Sequence, residues 1–220
     1  MLNYISPSTF DINYAQNTIL TTGSATPVVT LTEVKAHLKL DTSADDTLIT
    51  SLIASATDLA EKYTKLDFIT KTYKTYLREF KDYIEIRKAP SVVISSVKYY
   101  DINGALQTLS NTTYALAVSS SFPILYATTN NSFPSVSSVI PQPIIIEYTC
   151  GYGATAAYTP DAVKQALLII IAYMYEDRGD TLTGNGVESD NGMQSIPKLA
   201  RHLLNQFRVV DLGYTTNIRV

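Results

Sequence analysis

The stretch YTCGYGA, residues 148–154, decides how the rest of the chain is read. It holds the sole cysteine, Cys150, and places Gly151 and Gly153 on either side of Tyr152. Three chemical readings compete: a nucleophilic thiol, a phosphate-cradling glycine loop and a potassium-filter sequence. The fourth is structural, a strand that leaves a sheet, turns on its glycines and enters a helix. A filter needs two flanking membrane helices. The longest apolar run, ALLIIIAYMY at 166–175, falls well short of the ~20 residues that cross a bilayer. A phosphate loop opens directly into its helix and is followed by Lys and Ser or Thr. Here residues 154–159 separate Gly153 from Pro160, and no lysine stands in the required place. A catalytic thiol needs a base. The two histidines, His37 and His202, lie far off in sequence, each on a short predicted helix next to basic residues. The strand–turn–helix reading leads, and a thiol–imidazole site stays as its alternative.

Working outward, IIIEYTC (144–150) reads as the last strand of a sheet. Downstream, YTPDAVKQALLIIIAYMYEDRGD (158–180) reads as a helix with Thr159 as N-cap, Pro160 in the first turn and Asp161 answering the dipole. From Ala166 to Met174 it is apolar almost all round, which places it in a core or between subunits. EDRGDTLTGNGVESDNGM (176–193) is a glycine-rich, acidic loop, with Glu176, Asp177, Asp180, Glu188 and Asp190 against Arg178. A hard cation held there is outweighed by a solvated charge cluster. SIPKLARHLLNQFRVVDLGYTTNIRV (195–220) carries a short amphipathic helix, Leu199, Leu203 and Phe207 on one face with Leu204 beside them. It is basic through Lys198, Arg201, Arg208 and Arg219 against Asp211.

Upstream, the period of two runs from 69 to 150. ITKTYKTYLREF (69–80), YIEIRKAP (83–90), VISSVKYYDINGALQTL (93–109) and TTYALAVSSSFPILYA (112–127) are strand-like, and Asn103-Gly104 marks a hairpin turn. Residues 128–143 form a Ser/Pro/Asn-rich loop. Before the sheet region lie two helices. LTEVKAHLKL (31–40) is capped by Thr30 or Thr32. DTLITSLIASATDLAEKYT (46–64) follows Asp45 or Ser43, with Leu48, Leu52, Ala56, Leu59 and Tyr63 on one face and Ile49 and Ile53 widening it. Residues 1–30 are Thr/Asn/Ser-rich and read as an extended arm. The fold class is therefore α+β. Two N-terminal helices, one long buried helix and a short C-terminal helix form a bundle, with an antiparallel β-rich subdomain inserted at 69–150.

The 220 residues carry a formal net charge of −3, so no basic excess signals nucleic-acid binding. One cysteine precludes an intramolecular disulfide framework, and the first residues lack the basic and apolar regions of a signal peptide. Two histidines and one cysteine in three distant places do not make a zinc site, and DINGALQTL lacks the ligand ladder of a calcium loop. No catalytic residue, cofactor or metal is expected. Tyrosine is abundant, 16 against 6 Phe and no Trp, which suits half-wet strand surfaces and interfaces.

The ordered set of these segments, from LTEVKAHLKLDTSADDTLITSLIASATDLAEKYTK through IEIRKAPSVVISSVKYYDINGALQTL and IIIEYTCGYG to TPDAVKQALLIIIAYMYEDRGD and IPKLARHLLNQFRVV, resembles the head–tail connector proteins of tailed bacteriophages. These are also called head-completion or adaptor proteins. Tyr173, Tyr175, Glu176 and Arg178 match the ending of that family's long helix. The resemblance implies a structural virion protein, made in the host cytoplasm, that assembles as a ring of twelve copies beneath the portal protein. Such a ring meets a downstream stopper or tail protein and lets DNA pass without sequence-specific binding; no membrane is involved. On this reading Lys198, Arg201 and Arg208 supply charge toward the portal, and Leu204, Phe207 and Val209 supply apolar anchors, unless this helix folds back on its own subunit. Glu176 and Arg178 are candidates for an intersubunit ion pair. The rival readings are a stopper or tail-completion protein, a carbohydrate-binding or adhesin-like module using the tyrosines of 73–100, and an enzyme.

Overall fold

In a computed structural model the described residues are 16–118, 122–129, 131–177 and 196–209. They form a mixed α+β structure in two compact units. One consists of sheets and is built from residues 1–23, 71–87 and 92–149; the other is helical and is built from 24–70, 88–91 and 150–220.

The helical unit begins at α1 (Leu31–Leu38). Thr30 accepts the Glu33 N–H on its hydroxyl, and the Glu33 carboxylate takes the Thr30 N–H at 2.6 Å, a complete capping box. The Thr30 backbone and hydroxyl hold the Glu33 carboxyl below its ordinary range. α2 (Asp46–Thr64) follows. Asp45 stands at its start but makes no side-chain cap; its carboxylate accepts the Tyr175 hydroxyl of α3 instead. α3 (Asp161–Glu176) begins after Pro160, which occupies the cap position. The expected cap, Thr159, is buried and donates its hydroxyl to the Phe68 carbonyl at 3.1 Å. Holding the chain against its neighbour wins over capping at this position. α4 (Lys198–Asn205) closes the described helices.

The core of this unit combines Ile49, Ile53, Ala56, Ala60 and Tyr63 of α2 with Val163, Ala166, Leu167, Ile170 and Ile171 of α3 and Ala200 and Leu204 of α4. Of the expected α2 face, Ala56 and Tyr63 are buried together with the flanking Ile49 and Ile53, whereas Leu48, Leu52 and Leu59 are only half-buried. Each fully buried Ile or Leu contributes about 1.5–3 kcal/mol relative to exposure. Two residues of the expected N-terminal arm, Val28 and Val29, are also buried here.

The sheet unit contains eight described strands. A five-stranded sheet has the order β1-β2-β8-β4-β5, from β1 (Asn17–Thr22), β2 (Lys71–Leu77), β4 (Val93–Tyr100), β5 (Leu106–Thr108) and β8 (Ile144–Cys150). A three-stranded sheet orders β3 (Tyr83–Glu85), β7 (Ile124–Ala127) and β6 (Tyr114–Ala117). So residues 17–22, expected as arm, are an edge strand antiparallel to β2, Ile19 opposite Lys74. Strict alternation on β8 buries Ile144, Ile146 and Tyr148. Tyr148 stacks on Tyr73 at 5.9 Å, so part of the tyrosine excess is core.

The β4–β5 hairpin differs in detail from a two-residue Asn-Gly turn. Gly104 N–H bonds to Asp101 O, which makes Ile102 and Asn103 the turn centre and leaves Gly104 (φ 80°) at the left-handed position after it. The Asp101 carboxylate accepts from Gln107 Nε2 and from the N–H groups of Asn103 and Ala105, and these bonds, Gln107's foremost, hold its carboxyl below the ordinary range.

Gly104 and Gly151 are both left-handed but differ in surroundings. A Cβ at Gly104 would meet nothing within 4 Å, whereas one at Gly151 (φ 134°) would lie 2.6 Å from the backbone of Ile69 and Thr70. Gly104→Ala is expected to cost about 1–2 kcal/mol in urea unfolding, and Gly151→Ala at least ~3 kcal/mol or the loss of folding. A second expectation concerns pH. A carboxyl whose folded pKa is lowered stabilises the fold above its unfolded value, about 4.3, and loses that contribution as pH falls through the folded value. Glu33→Gln should therefore lower the melting temperature slightly at pH 7, and the gap should close below pH ~4.

Candidate interaction surfaces

The residues around YTCGYGA are used by the protein itself. Cys150 is buried and donates its thiol to Asp67 Oδ2 at 3.1 Å, and Lys88 Nζ lies 3.8 Å from the same oxygen. Gly151 N–H donates to the Pro90 carbonyl at 2.8 Å, and the Gly153 carbonyl accepts from Thr70 N–H at 2.9 Å. Backbone groups committed in this way cannot cradle a phosphate. Tyr152 packs against the helical core, and burial raises its phenol pKa. His37 on α1 and His202 on α4 are both exposed, whereas the thiol is enclosed. Among the described residues no group of three or more His, Cys, Asp or Glu side chains converges to hold a metal.

α4 is strongly amphipathic, and its two faces do different things. Leu204 is fully buried, and Leu203, Phe207 and Val209 pack against the same helical core. Val209 N–H bonds to the Thr64 carbonyl at 2.9 Å, Asn205 Oδ1 accepts the Tyr63 hydroxyl, and the Arg208 guanidinium stands 5.1 Å above the Tyr63 ring. The three expected apolar anchors, Leu204, Phe207 and Val209, therefore serve their own subunit. An eight-residue helix with one apolar stripe gains most by closing that stripe on the nearest core. The face left to solvent carries Lys198, Leu199, His202 and Arg208, with Arg201 half-buried. Leu199, 61% exposed, was grouped in sequence with Leu203 and Phe207 but lies outside the buried line.

Glu176 is exposed at the end of α3; Arg178 lies outside the described residues, as does most of the acidic loop. Along α3, Gln165, Ile169, Ala172, Tyr173 and Glu176 recur at three- and four-residue spacing and are half-buried or exposed, with Tyr173 42% exposed. No charged residue stands between Lys164 and Glu176. Because the helix is apolar almost all round, hydrophobicity along its sequence does not separate the core face from this outer one.

The sheet unit has its own apolar exposure at Tyr83, Ile102 and Val139. A shallow groove of about 240 Å³ is lined by residues including Asp82, Tyr83, Tyr126, Asn131 and Phe133. Phe133 stacks on Phe80 at 4.6 Å, and Phe80 meets the edge of Tyr99.

No curated protein sequence matches the chain. Its fold is similar to a chain of the virion of the native gene transfer agent (GTA) particle, with a TM-score of 0.69 and 21% identity over 88% of this chain and 95% of that one. It is also similar to a chain in the neck of the empty GTA particle computed with C6 symmetry, with a TM-score of 0.67 and 21% identity over 87% and 96%. A third match is the neck of the native GTA particle computed with C12 symmetry, at 0.58 and 20% over 87% and 96%. At such identities the likeness is one of fold. The sequence itself matches the family model for head completion proteins across residues 27–210. The chain therefore belongs to the head completion protein family.

Proposed function

We propose that this chain is a structural subunit of the virion neck, a head–tail adaptor that repeats as a ring beneath the portal. The ring completes the DNA-filled head, offers the next neck or tail component a docking surface and lets DNA pass. The family match over residues 27–210 carries this reading. The likeness to chains of GTA necks computed with C6 and C12 symmetry supports a ring, most simply of twelve copies. The work is mechanical: free energy goes into surfaces that fit copies and neighbours, not into stabilising a transition state. Cys150, the one nucleophile the sequence singled out, is a packed thiol bonded to Asp67.

The outer face of α3 supplies an intersubunit surface. An uncharged face of Ile169, Ala172 and Tyr173 leaves solvent at little cost when a second copy covers it. Glu176, with Arg178, would stand at its rim, where an ion pair adds specificity more than affinity. The portal-facing surface is the solvent side of α4, with Lys198, Leu199 and Arg208 as contacts and Leu204, Phe207 and Val209 holding the helix in place behind them. A channel that DNA slides through must avoid accumulating phosphate contacts, and a subunit of net charge −3 meets that requirement.

Two measurements check this. In electron microscopy of intact particles carrying a tagged chain, density for the tag is expected at the collar between capsid and tail; density anywhere else overturns the reading. In mutagenesis, Leu204→Ala should lower subunit stability by about 2–5 kcal/mol. Lys198→Glu combined with Arg208→Glu should lower subunit stability by no more than the lost Arg208–Tyr63 contact, about 0.5–1 kcal/mol, yet lower the yield of tail-competent heads at least tenfold.

A further inference from the structure

The tip of the β4–β5 hairpin carries a chemically reactive pair. Asn103 and Gly104 are both exposed, and the Asn103 side chain makes no hydrogen bond among the described residues. The main-chain nitrogen after an asparagine can reach that residue's own amide carbon and close an imide ring. A side chain on the following residue hinders the approach, and glycine has none. At Gly104 even an added Cβ would meet nothing within 4 Å, so no neighbour crowds the atoms that would join.

The reaction needs no partner but water. The Gly104 nitrogen loses its proton and bonds to Asn103 Cγ. The Cγ–Nδ2 bond breaks, and ammonia leaves with that proton. Water then opens the succinimide. Attack at Cγ leaves aspartate on the original main chain. Attack at the Asn103 main-chain carbonyl carbon leaves isoaspartate, whose chain runs on through Cβ and Cγ. Nothing is oxidised or reduced in either branch.

The fold restrains the nucleophile. Gly104 N–H donates to the Asp101 carbonyl at 2.9 Å, and Asp101 N–H donates to the Ala105 carbonyl at 2.9 Å. The Asp101 carboxylate accepts from Asn103 N–H at 2.9 Å and Ala105 N–H at 3.0 Å, on either side of Gly104, and from Gln107 Nε2 at 2.9 Å. A nitrogen held in this turn is not free to rotate onto Cγ, and a fixed negative charge beside it opposes loss of its proton. Ring closure therefore needs the turn to open. Opening is local, because the tip is exposed and β5 meets β4 through only the pairs Tyr100–Leu106, Tyr99–Gln107 and Lys98–Thr108.

We propose that Asn103 is a site of spontaneous deamidation, gated by the hydrogen bonds that Asp101 makes across the turn. Conversion proceeds through the molecules in which those bonds are open. The product carries a new negative charge beside Asp101. In isoaspartate the main chain is one carbon longer, so Gly104 N–H no longer lines up with the Asp101 carbonyl. The closed turn is then not regained, and β5 loosens from β4.

The test incubates the full chain in mildly alkaline buffer, folded or unfolded in urea. Peptide mass spectrometry follows residue 103, where conversion adds about 1 Da, and enzymatic methylation identifies isoaspartate. Asn185-Gly186 and Asn191-Gly192 give the intrinsic rate of the same pair in urea. Residue 103 is expected to convert in the folded wild type, more slowly than in urea. Asp101→Ala should speed the folded chain at least about twofold, the worth of one lost hydrogen bond, with no change in urea. Gln107→Ala keeps both backbone bonds to the carboxylate and should have a smaller effect. No conversion of the folded chain over a period that converts the unfolded one would overturn the site. Equal rates in the two states, or an Asp101→Ala effect that is absent or equally large in urea, would overturn the gate.

Discussion

The helical unit depends on a close approach of backbone to backbone at Gly151. Three segments distant in sequence, 67–70, 88–91 and 150–153, are tied there by Asp67 N–H to Ala89 O, Gly151 N–H to Pro90 O and Thr70 N–H to Gly153 O. The Cys150 thiol and Lys88 meet on Asp67, and the Thr159 hydroxyl reaches the Phe68 carbonyl. Buried polar groups of this kind are tolerated because each finds a partner. A side chain at 151 would push Ile69 and Thr70 away and break the set together, since its Cβ meets backbone and not a yielding side-chain end. The glycines and cysteine that invite a catalytic reading are thus accounted for by packing.

With those segments fixed, the helices close on each other along a line marked by small residues. Ala56 and Ala60 of α2, Ala166 of α3 and Ala200 of α4 are all fully buried. Alanine lets helix backbones approach, and the larger Leu48, Leu52, Leu59, Leu203 and Phe207 pack half-buried against this core. Hydrophobic bulk favours the leucines: on α2 it adds the half-buried Leu48, Leu52 and Leu59 to a face that does bury Ala56 and Tyr63, and on α4 it shifts the stripe to Leu199 and Leu203 from the buried Ala200 and Leu204. The shift has functional weight on α4: it moves Leu199 from the inner face to the outer one and Leu204 from a proposed partner contact into the core.

Such an architecture suits a part that works by fit. A stable helical core holds its own amphipathic C-terminal helix in place, and among the described residues the opposite face of that helix and the outer face of α3 around Tyr173 stay exposed. An exposed apolar face is a liability for a protein that stays alone and an asset for one that ends its life in an assembly. Membership of the head completion family gives these surfaces a common explanation.

The sequence by itself determined the elements and the family. Period-two alternation from 69 to 150, the helical spacing of 31–40, 46–64 and 158–180, and the order of these segments were legible because they are local properties of the chain. The turn after Cys150 and a threonine cap at Thr30 or Thr32 were legible for the same reason, whereas the Thr30–Glu33 capping box came from the structure. Tertiary structure alone decided which of two adjacent stripes on each helix is buried, because that depends on the partner helix and not on the helix itself. It also decided that Thr159 bonds to Phe68 instead of capping, and that residues 17–22 join a sheet. A Thr- and Asn-rich strand carries little alternation of its own; β1 becomes a strand because β2, more than fifty residues away, offers it a ladder of backbone partners.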